Sequence, residues 1–158
     1  MSISIFNQVE NLLTGQGAVF QVLRHEPVYT SEEAARIRGT SLASGAKALI
    51  CKGDDVFAMF VLPADCKLNS AVGRRTCGWR KLRFATREEV LELTGLTPGS
   101  IPPFGSLFHL ATRCDQRLGE NAIINFNAGD HGISVSMQYD DYISVEKPEL
   151  GTFAEVSM

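Results

Sequence analysis

Ala46-Lys47-Ala48-Leu49-Ile50-Cys51-Lys52, then Gly53-Asp54-Asp55, then Val56-Phe57-Ala58-Met59-Phe60-Val61-Leu62: two apolar runs joined by a turn-forming triplet read as an antiparallel β-hairpin. The first run suits a buried strand except at Lys47. A lysine in that setting must snorkel to the surface, pair with a carboxylate or face a cleft. By position alone, a snorkelling edge residue is the plainer reading.

Helices and strands alternate on either side of this hairpin. Residues 3–14 place Ile5, Phe6, Val9, Leu12 and Leu13 at helical spacing, with Gly15 and Gly17 ending the run. A strand is expected from Ala18 to Arg24. Thr30-Ser31-Glu32-Glu33 reads as a capping box opening a short helix that stops near Gly39. Beyond the hairpin, Leu68 to Arg75 predicts a short helix and Leu82 to Phe84 a short strand. Thr86-Arg87-Glu88-Glu89 repeats the capping logic, with Val90, Leu91 and Leu93 facing inward and Gly95 as the stop. Leu107–Ala111, Ala122–Phe126 and Ile133–Met137 read as strands, and Asp140–Val145 as a short closing element. There is no repeat, low-complexity tract or internal linker. The expectation is one α+β domain over residues 1–158, built on a mixed, strongly curved, barrel-like sheet flanked by helices.

Composition limits the classes of function. The chain has 158 residues, 44% hydrophobic and 21% charged, which suits a folded domain with a sizeable core and argues against disorder. No apolar run is long enough to span a bilayer, and the N-terminus shows no secretory pattern. Cys51, Cys66, Cys77 and Cys114 form no C-x-x-C pair, which speaks against zinc or a disulfide framework and suits a reducing cytoplasm. Net charge is −3, so the molecule as a whole does not advertise nucleic-acid binding. Yet Arg74, Arg75, Arg80, Lys81, Arg83 and Arg87 fall within fourteen positions around Trp79, with no acidic residue before Glu88. Such a stretch is either a phosphate-contacting patch or a solvated surface balanced by carboxylates elsewhere.

A second stretch is shaped rather than merely loose. Gly99-Ser100-Ile101-Pro102-Pro103-Phe104-Gly105 brackets two prolines with two glycines, a pattern that can hold amide donors in one arrangement and let a ligand approach the main chain. An ordinary tight connection has the same composition. His25, before Glu26-Pro27, and His131, in the turn Asn127-Ala128-Gly129-Asp130-His131-Gly132, are each readable as plain surface residues, and Asp115 as a turn cap. Nucleophile-elbow, P-loop, dinucleotide-binding and zinc-protease motifs are absent, and the three histidines lie far apart. No metal or cofactor is expected.

Taken in order, these segments resemble the YbaK and prolyl-tRNA synthetase-associated editing domains. His25-Glu26-Pro27-Val28-Tyr29-Thr30-Ser31-Glu32-Glu33-Ala34-Ala35 is similar to that family's opening motif, and Gly45-Ala46-Lys47-Ala48-Leu49 to its lysine-bearing strand. Gly99 through Pro103 fits its G-x-x-x-P loop, continued by Phe104-Gly105. Cys114-Asp115-Gln116-Arg117-Leu118 resembles its aspartate segment, and Asn127 through Ile133 its late glycine-histidine turn. Together they span roughly residues 20–145. Ala48, after the lysine, is neither the asparagine nor the polar residue of some subgroups, so the rejected amino acid stays open.

The resemblance implies a deacylase acting in trans on the ester of a mischarged tRNA, such as a prolyl tRNA carrying a small amino acid. The partners implied are the tRNA acceptor end and, in addition, an aminoacyl-tRNA synthetase. Lys47 and His131 would be catalytic, Lys47 holding the adenosine phosphate or the reacting ester. His25, Gly99, Pro103, Gly105, Asp115 and Gly129 would bind substrate. Arg74, Arg75, Arg80, Lys81 and Arg83 would face the tRNA, an assignment made from charge rather than resemblance. Such an ester needs little beyond a placed water and oxyanion donors, with the ribose hydroxyls of the substrate assisting. Two other readings stay open: a tRNA-, nucleotide- or synthetase-binding module without catalysis, and a hydrolase of small esters or thioesters.

Overall fold

The hairpin forms with the expected strands and a tighter turn. The computed structural model describes residues 4–157. In chain order its elements are α1 (Ile5–Gly15), β1 (Phe20–Arg24), α2 (Ser31–Arg38), β2 (Ala46–Gly53), β3 (Val56–Pro63), β4 (Cys66–Leu68), α3 (Ser70–Cys77) and β5 (Leu82–Phe84). There follow α4 (Arg87–Thr94), β6 (Ala111–Asp115), β7 (Ile123–Asn127), β8 (Ile133–Gln138), α5 (Tyr139–Glu146), β9 (Glu149–Gly151) and β10 (Ala154–Val156). Ile3, the expected start of the first helix, lies outside the described residues.

β2 and β3 pair from Ala46↔Pro63 to Gly53↔Val56, so the loop is only Asp54-Asp55. Asp54 takes a left-handed conformation (φ 53°), which aspartate tolerates better than most residues. Its carboxylate accepts the amides of Arg80 (3.2 Å) and Lys81 (3.0 Å), tying the turn to the chain leading into β5.

Alternation along the hairpin sends its side chains to opposite faces. Ile50, Met59 and Val61 enter a large core with Phe6, Val9 and Leu13 of α1 and with Phe104, Phe126 and Tyr142. Cys51, Ala58, Phe60 and Leu62 enter a second core with Leu68 and Phe153. Burial on both faces explains why the strands read as nearly unbroken apolar runs.

The architecture is a single α+β domain with mixed sheets. Its strands divide into a five-stranded sheet ordered β5-β2-β3-β6-β9, a three-stranded sheet β1-β8-β7 and a β4-β10 pair. β3–β6 and β6–β9 are parallel, and the remaining pairs are antiparallel. The expected single barrel-like sheet is therefore not what is seen. β5 and β9, at the two edges of the five-stranded sheet, are three residues each and end its ladder. A lone bridge, Gly45↔Asn125, joins this sheet to its three-stranded neighbour.

Other differences are local. Leu107–Ala111 is not a strand: a 3-10 turn runs from Gly105 to Phe108, and the strand begins at Ala111. The Leu110 amide reaches back to the Gly105 carbonyl (2.9 Å) and the Gly105 amide to Thr112 Oγ1 (2.9 Å), folding the chain on itself. Leu91 is exposed, because the buried stripe of α4 runs through Val90 and Thr94, and Leu91 falls a full helical step off it.

Both capping sites form. Thr86 and Glu89 make a reciprocal capping box on α4. On α2, Thr30 Oγ1 accepts the Glu33 amide (3.1 Å), while Glu33 reaches the Tyr29 amide rather than that of Thr30. Gly39 closes α2 in the left-handed region (φ 71°). At the turn end of β2, the Trp79 ring lies directly on Gly53, where a Cβ would overlap it. Gly53→Ala is expected to destabilise the fold by about 1–3 kcal/mol through overpacking, read as a lowered urea midpoint.

Candidate functional site

The start of β2 faces a cavity of about 160 Å³. One wall is a single face of α2: Ser31, Ala34, Ala35 and Arg38 recur at intervals of three and four residues. Gly45 to Leu49 also line the cavity, together with Gly99, Ile101 and Asn127. β5 pairs with β2 only from Cys51 to Gly53, so no strand among the described residues covers the β2 edge at Ala48.

Lys47 stands in this cavity half-buried. It makes no hydrogen bond or ion pair among the described residues. Burial lowers its pKa, opposed by the thiol of Cys66 and the carboxylates of Glu32 and Asp65. The hairpin thus carries an ammonium into a cleft and leaves it unpaired.

The proline loop contributes backbone. Within it, the Ser100 amide bonds to Thr97 O (3.3 Å), the Phe104 amide to Pro102 O (2.8 Å) and the Gly105 amide to Thr112 Oγ1 (2.9 Å). Prolines have no N–H. The amides of Gly99 and Ile101 have no partner among the described residues, and both residues line the cavity. Gly99 takes φ 93°, a conformation that favours glycine.

His131 is not among the lining residues. Its Nδ1 lies 3.1 Å from Val28 O, which can only accept, so Nδ1 donates there, and Nε2 is hydrogen-bonded with Thr97 Oγ1 at 3.0 Å. The ring packs against Tyr29 (centroids 4.7 Å apart) and lies behind Gly99. With both nitrogens engaged, it braces the wall rather than presenting a free base, in contrast to the expected catalytic contact.

His25 belongs to a polar chain at the rear of the cavity. Its Nδ1 donates to Glu26 O (2.7 Å), and its Nε2 meets Ser134 Oγ (2.8 Å). Arg38 Nε donates to the same Ser134 oxygen (2.8 Å), and Arg38 Nη2 to Asn127 Oδ1 (2.9 Å). Asn127 Nδ2 then donates to Gly99 O (2.8 Å). Arg38, Asn127 and Ser134 carried no signal as single residues. The small-residue stripe Ser31, Ala34 and Ala35, ending in Arg38 on one helix face, is the one sequence signal that could have drawn attention to Arg38.

Four expected substrate residues lie elsewhere. Asp115 is 2% exposed, and its carboxylate accepts the amides of Phe153 (2.7 Å), Ala154 (2.7 Å) and Arg117 (2.8 Å). It ties β6 to the C-terminal strand and has no free oxygen for a ligand. Pro103 is buried, with its carbonyl accepting the Tyr142 hydroxyl (2.7 Å). Gly105 is packed against Thr112 and Leu110 with no room for a side chain. Gly129 lies under Ile5 of α1, and its amide donates to Ser100 O (2.8 Å), which shapes the loop from behind.

The basic stretch is on the surface. Arg74, Arg75, Arg80 and Lys81 are exposed, whereas Arg83 binds Glu89 through both fork nitrogens (2.7 and 2.9 Å). Arg83 pairs with Lys52 at the far end of β2, roughly 17 Å along the strand from Lys47. No helix among the described residues is long and apolar enough to cross a membrane.

A sequence model of the aminoacyl-tRNA editing domain matches residues 25–145, a span that contains the whole cavity. The chain belongs to the aminoacyl-tRNA editing domain family. Among relatives, it is 38% identical over 147 residues to the multifunctional Ser/Thr-tRNA deacylase ProXp-y of Escherichia coli (strain K12), covering 90% of this chain and 88% of that protein. A proline–tRNA ligase of Shouchella clausii is 40% identical over 76 residues, which is 48% of this chain and 13% of the ligase. The editing-domain fold also matches a solved structure provisionally described as a trans-editing enzyme for prolyl-tRNA synthetase, with a TM-score of 0.85, 24% identity and coverage of 98% and 99% of the two chains.

Proposed function

We propose that residues 1–158 form one aminoacyl-tRNA editing unit that acts in trans, hydrolysing the ester between a small amino acid and the terminal adenosine of a mischarged tRNA. The observation that carries this reading is Lys47, an unpaired, half-buried ammonium beside the unspent amides of Gly99 and Ile101. An aminoacyl ester is activated already. Attack by water builds negative charge on the carbonyl oxygen, and donors fixed in advance lower that barrier.

In this reading the Gly99 and Ile101 amides are the oxyanion donors, and Lys47 holds the substrate by charge. His131 and Asn127 keep the Gly99 peptide in place. A ribose hydroxyl of the substrate itself orients the water, since no carboxylate or imidazole among the described residues lines the cavity. Small walls at Ala34, Ala35, Ala46, Ala48 and Ala64, with hydroxyls at Thr30 and Ser31, favour serine or threonine as the acyl group. The name of the 38% relative agrees with that choice.

Exposed Arg74, Arg75, Arg80 and Lys81 contact acceptor-stem phosphates at a distance from the chemistry, an affinity contribution that salt weakens. The same type of domain within proline–tRNA ligases points to prolyl tRNA, and to a synthetase as a docking partner, in the cytoplasm where charging occurs.

A panel of tRNAs carrying serine, threonine, alanine or cysteine, assayed beside the free amino-acid esters, tests the proposal. Hydrolysis of the seryl or threonyl tRNA, well above that of the free ester, is expected. Binding without turnover would replace it with a docking module, and turnover of free esters alone with a small-molecule hydrolase.

A further inference from the structure

A second cation lines the cavity, and its surroundings differ from those of an ordinary structural arginine. Arg38 lies in the last turn of α2, on the face that forms the wall. Two of its three nitrogens are held by neutral groups: Nε by Ser134 Oγ (2.8 Å) and Nη2 by Asn127 Oδ1 (2.9 Å). Nη1 has no hydrogen-bond partner among the described residues. It lies 3.9 Å from where a Cβ on Gly45 would stand, on the cavity side of the wall. No carboxylate is within ion-pair distance of the guanidinium among the described residues. Consistently, burial alone moves its pKa, down to about 10, with no acidic neighbour acting on it.

A part-buried guanidinium without a counter-ion carries a desolvation cost, and an anion entering the cavity would offset it. The fork is also fixed in advance, because two anchors hold its plane while the third nitrogen is left to donate. The choice of anion follows from the substrate. An aminoacyl tRNA has no free carboxylate at its 3′ end, since the amino acid is esterified there, and its anions are phosphodiesters.

We infer that Arg38 is a second anion-binding group of the cavity and takes, together with Lys47, the phosphodiester that precedes the terminal nucleotide. This rests on the deacylase reading for the identity of the substrate. It adds a residue that fixes how deep the 3′ end can enter, and so where the ester meets the Gly99 and Ile101 amides.

The test compares two uncharged minihelices ending in the natural 3′ sequence, one with a neutral methylphosphonate at that last linkage. Affinity is measured for wild type, Arg38→Met and Arg38→Gln, with folding checked by circular dichroism. Neutralising the linkage is expected to weaken wild-type binding by about 10- to 100-fold, the range for a charge-assisted hydrogen bond. Arg38→Met should bind the natural minihelix less well and lose clearly less than wild type on neutralisation, what remains being the share of Lys47. An equal loss in wild type and Arg38→Met would overturn the assignment, since a purely structural arginine lowers both affinities alike. If Arg38→Met does not fold, Arg38→Gln, polar but uncharged, decides: its loss on neutralisation must be smaller than that of wild type, and an equal loss overturns the inference. Because binding is the readout, an enzyme that hydrolyses no mischarged tRNA would refute the deacylase reading and leave this comparison intact.

Discussion

Replacing Lys47 by alanine is expected to lower kcat/KM for deacylation by about 10²- to 10³-fold, the cost of losing one charged group aimed at the reacting ester or its phosphate. The fold should survive. Lys47 makes no hydrogen bond or ion pair among the described residues, and its ammonium is desolvated, so removing it relieves a cost rather than leaving a partner stranded. The variant should melt at or above the wild-type temperature. The pH profile gives an independent check. Burial lowers the Lys47 pKa, so the charged form is present at low pH and is lost as pH rises through that lowered value. Activity that depends on the ammonium should therefore fall on the alkaline side earlier than an exposed lysine would dictate. In Lys47→Arg, which stays charged, that alkaline limb should flatten even where the rate is reduced.

Replacing Asp115 by alanine should have the opposite signature. Its carboxylate accepts the Phe153 and Ala154 amides at 2.7 Å each and the Arg117 amide at 2.8 Å, in a site that is 2% exposed. Truncation leaves buried donors unsatisfied and loosens the segment that carries Phe153 into the second core. A loss of about 3–5 kcal/mol is expected, measured as the shift in urea midpoint at constant slope. Any fall in activity should follow the unfolded fraction and vanish when the folded population is restored. A stable Asp115→Ala protein that has lost only catalysis would return Asp115 to the substrate.

Much of the fold is legible in the sequence because local physics and tertiary structure agree there. The Asp54-Asp55 turn, the Thr30 and Thr86 caps and the Gly39 and Gly95 stops are short-range signals, and each appears where the residues point. β6 was missed because Thr112, Arg113 and Asp115 give it no apolar alternation; it forms by parallel pairing with β3 and β9, partners distant in sequence. The division into separate sheets depends on how short β5 and β9 are, and no periodicity encodes that.

The candidate site was legible in outline. Lys47 is conspicuous because a lysine in an apolar strand must snorkel, pair or face a cleft, and Gly99 because prolines surround it. Asp115 and Gly105 looked equally functional, since a buried carboxylate taking amides and a packed glycine leave the same trace in a sequence as ligand-binding ones. Arg38 had the reverse problem. On a short helix with Arg36 beside it, it reads as a solvated charge until the fold turns that face toward β2.

The most direct test of the central claim is a single-turnover assay of seryl- or threonyl-tRNA deacylation, with wild type and Lys47→Ala compared at equal folded concentration. Rapid release of the amino acid by wild type, and release near the uncatalysed rate with the variant, is the predicted result. Equal rates for the two proteins would contradict the assignment of the β2 cavity as the place where the ester is cleaved.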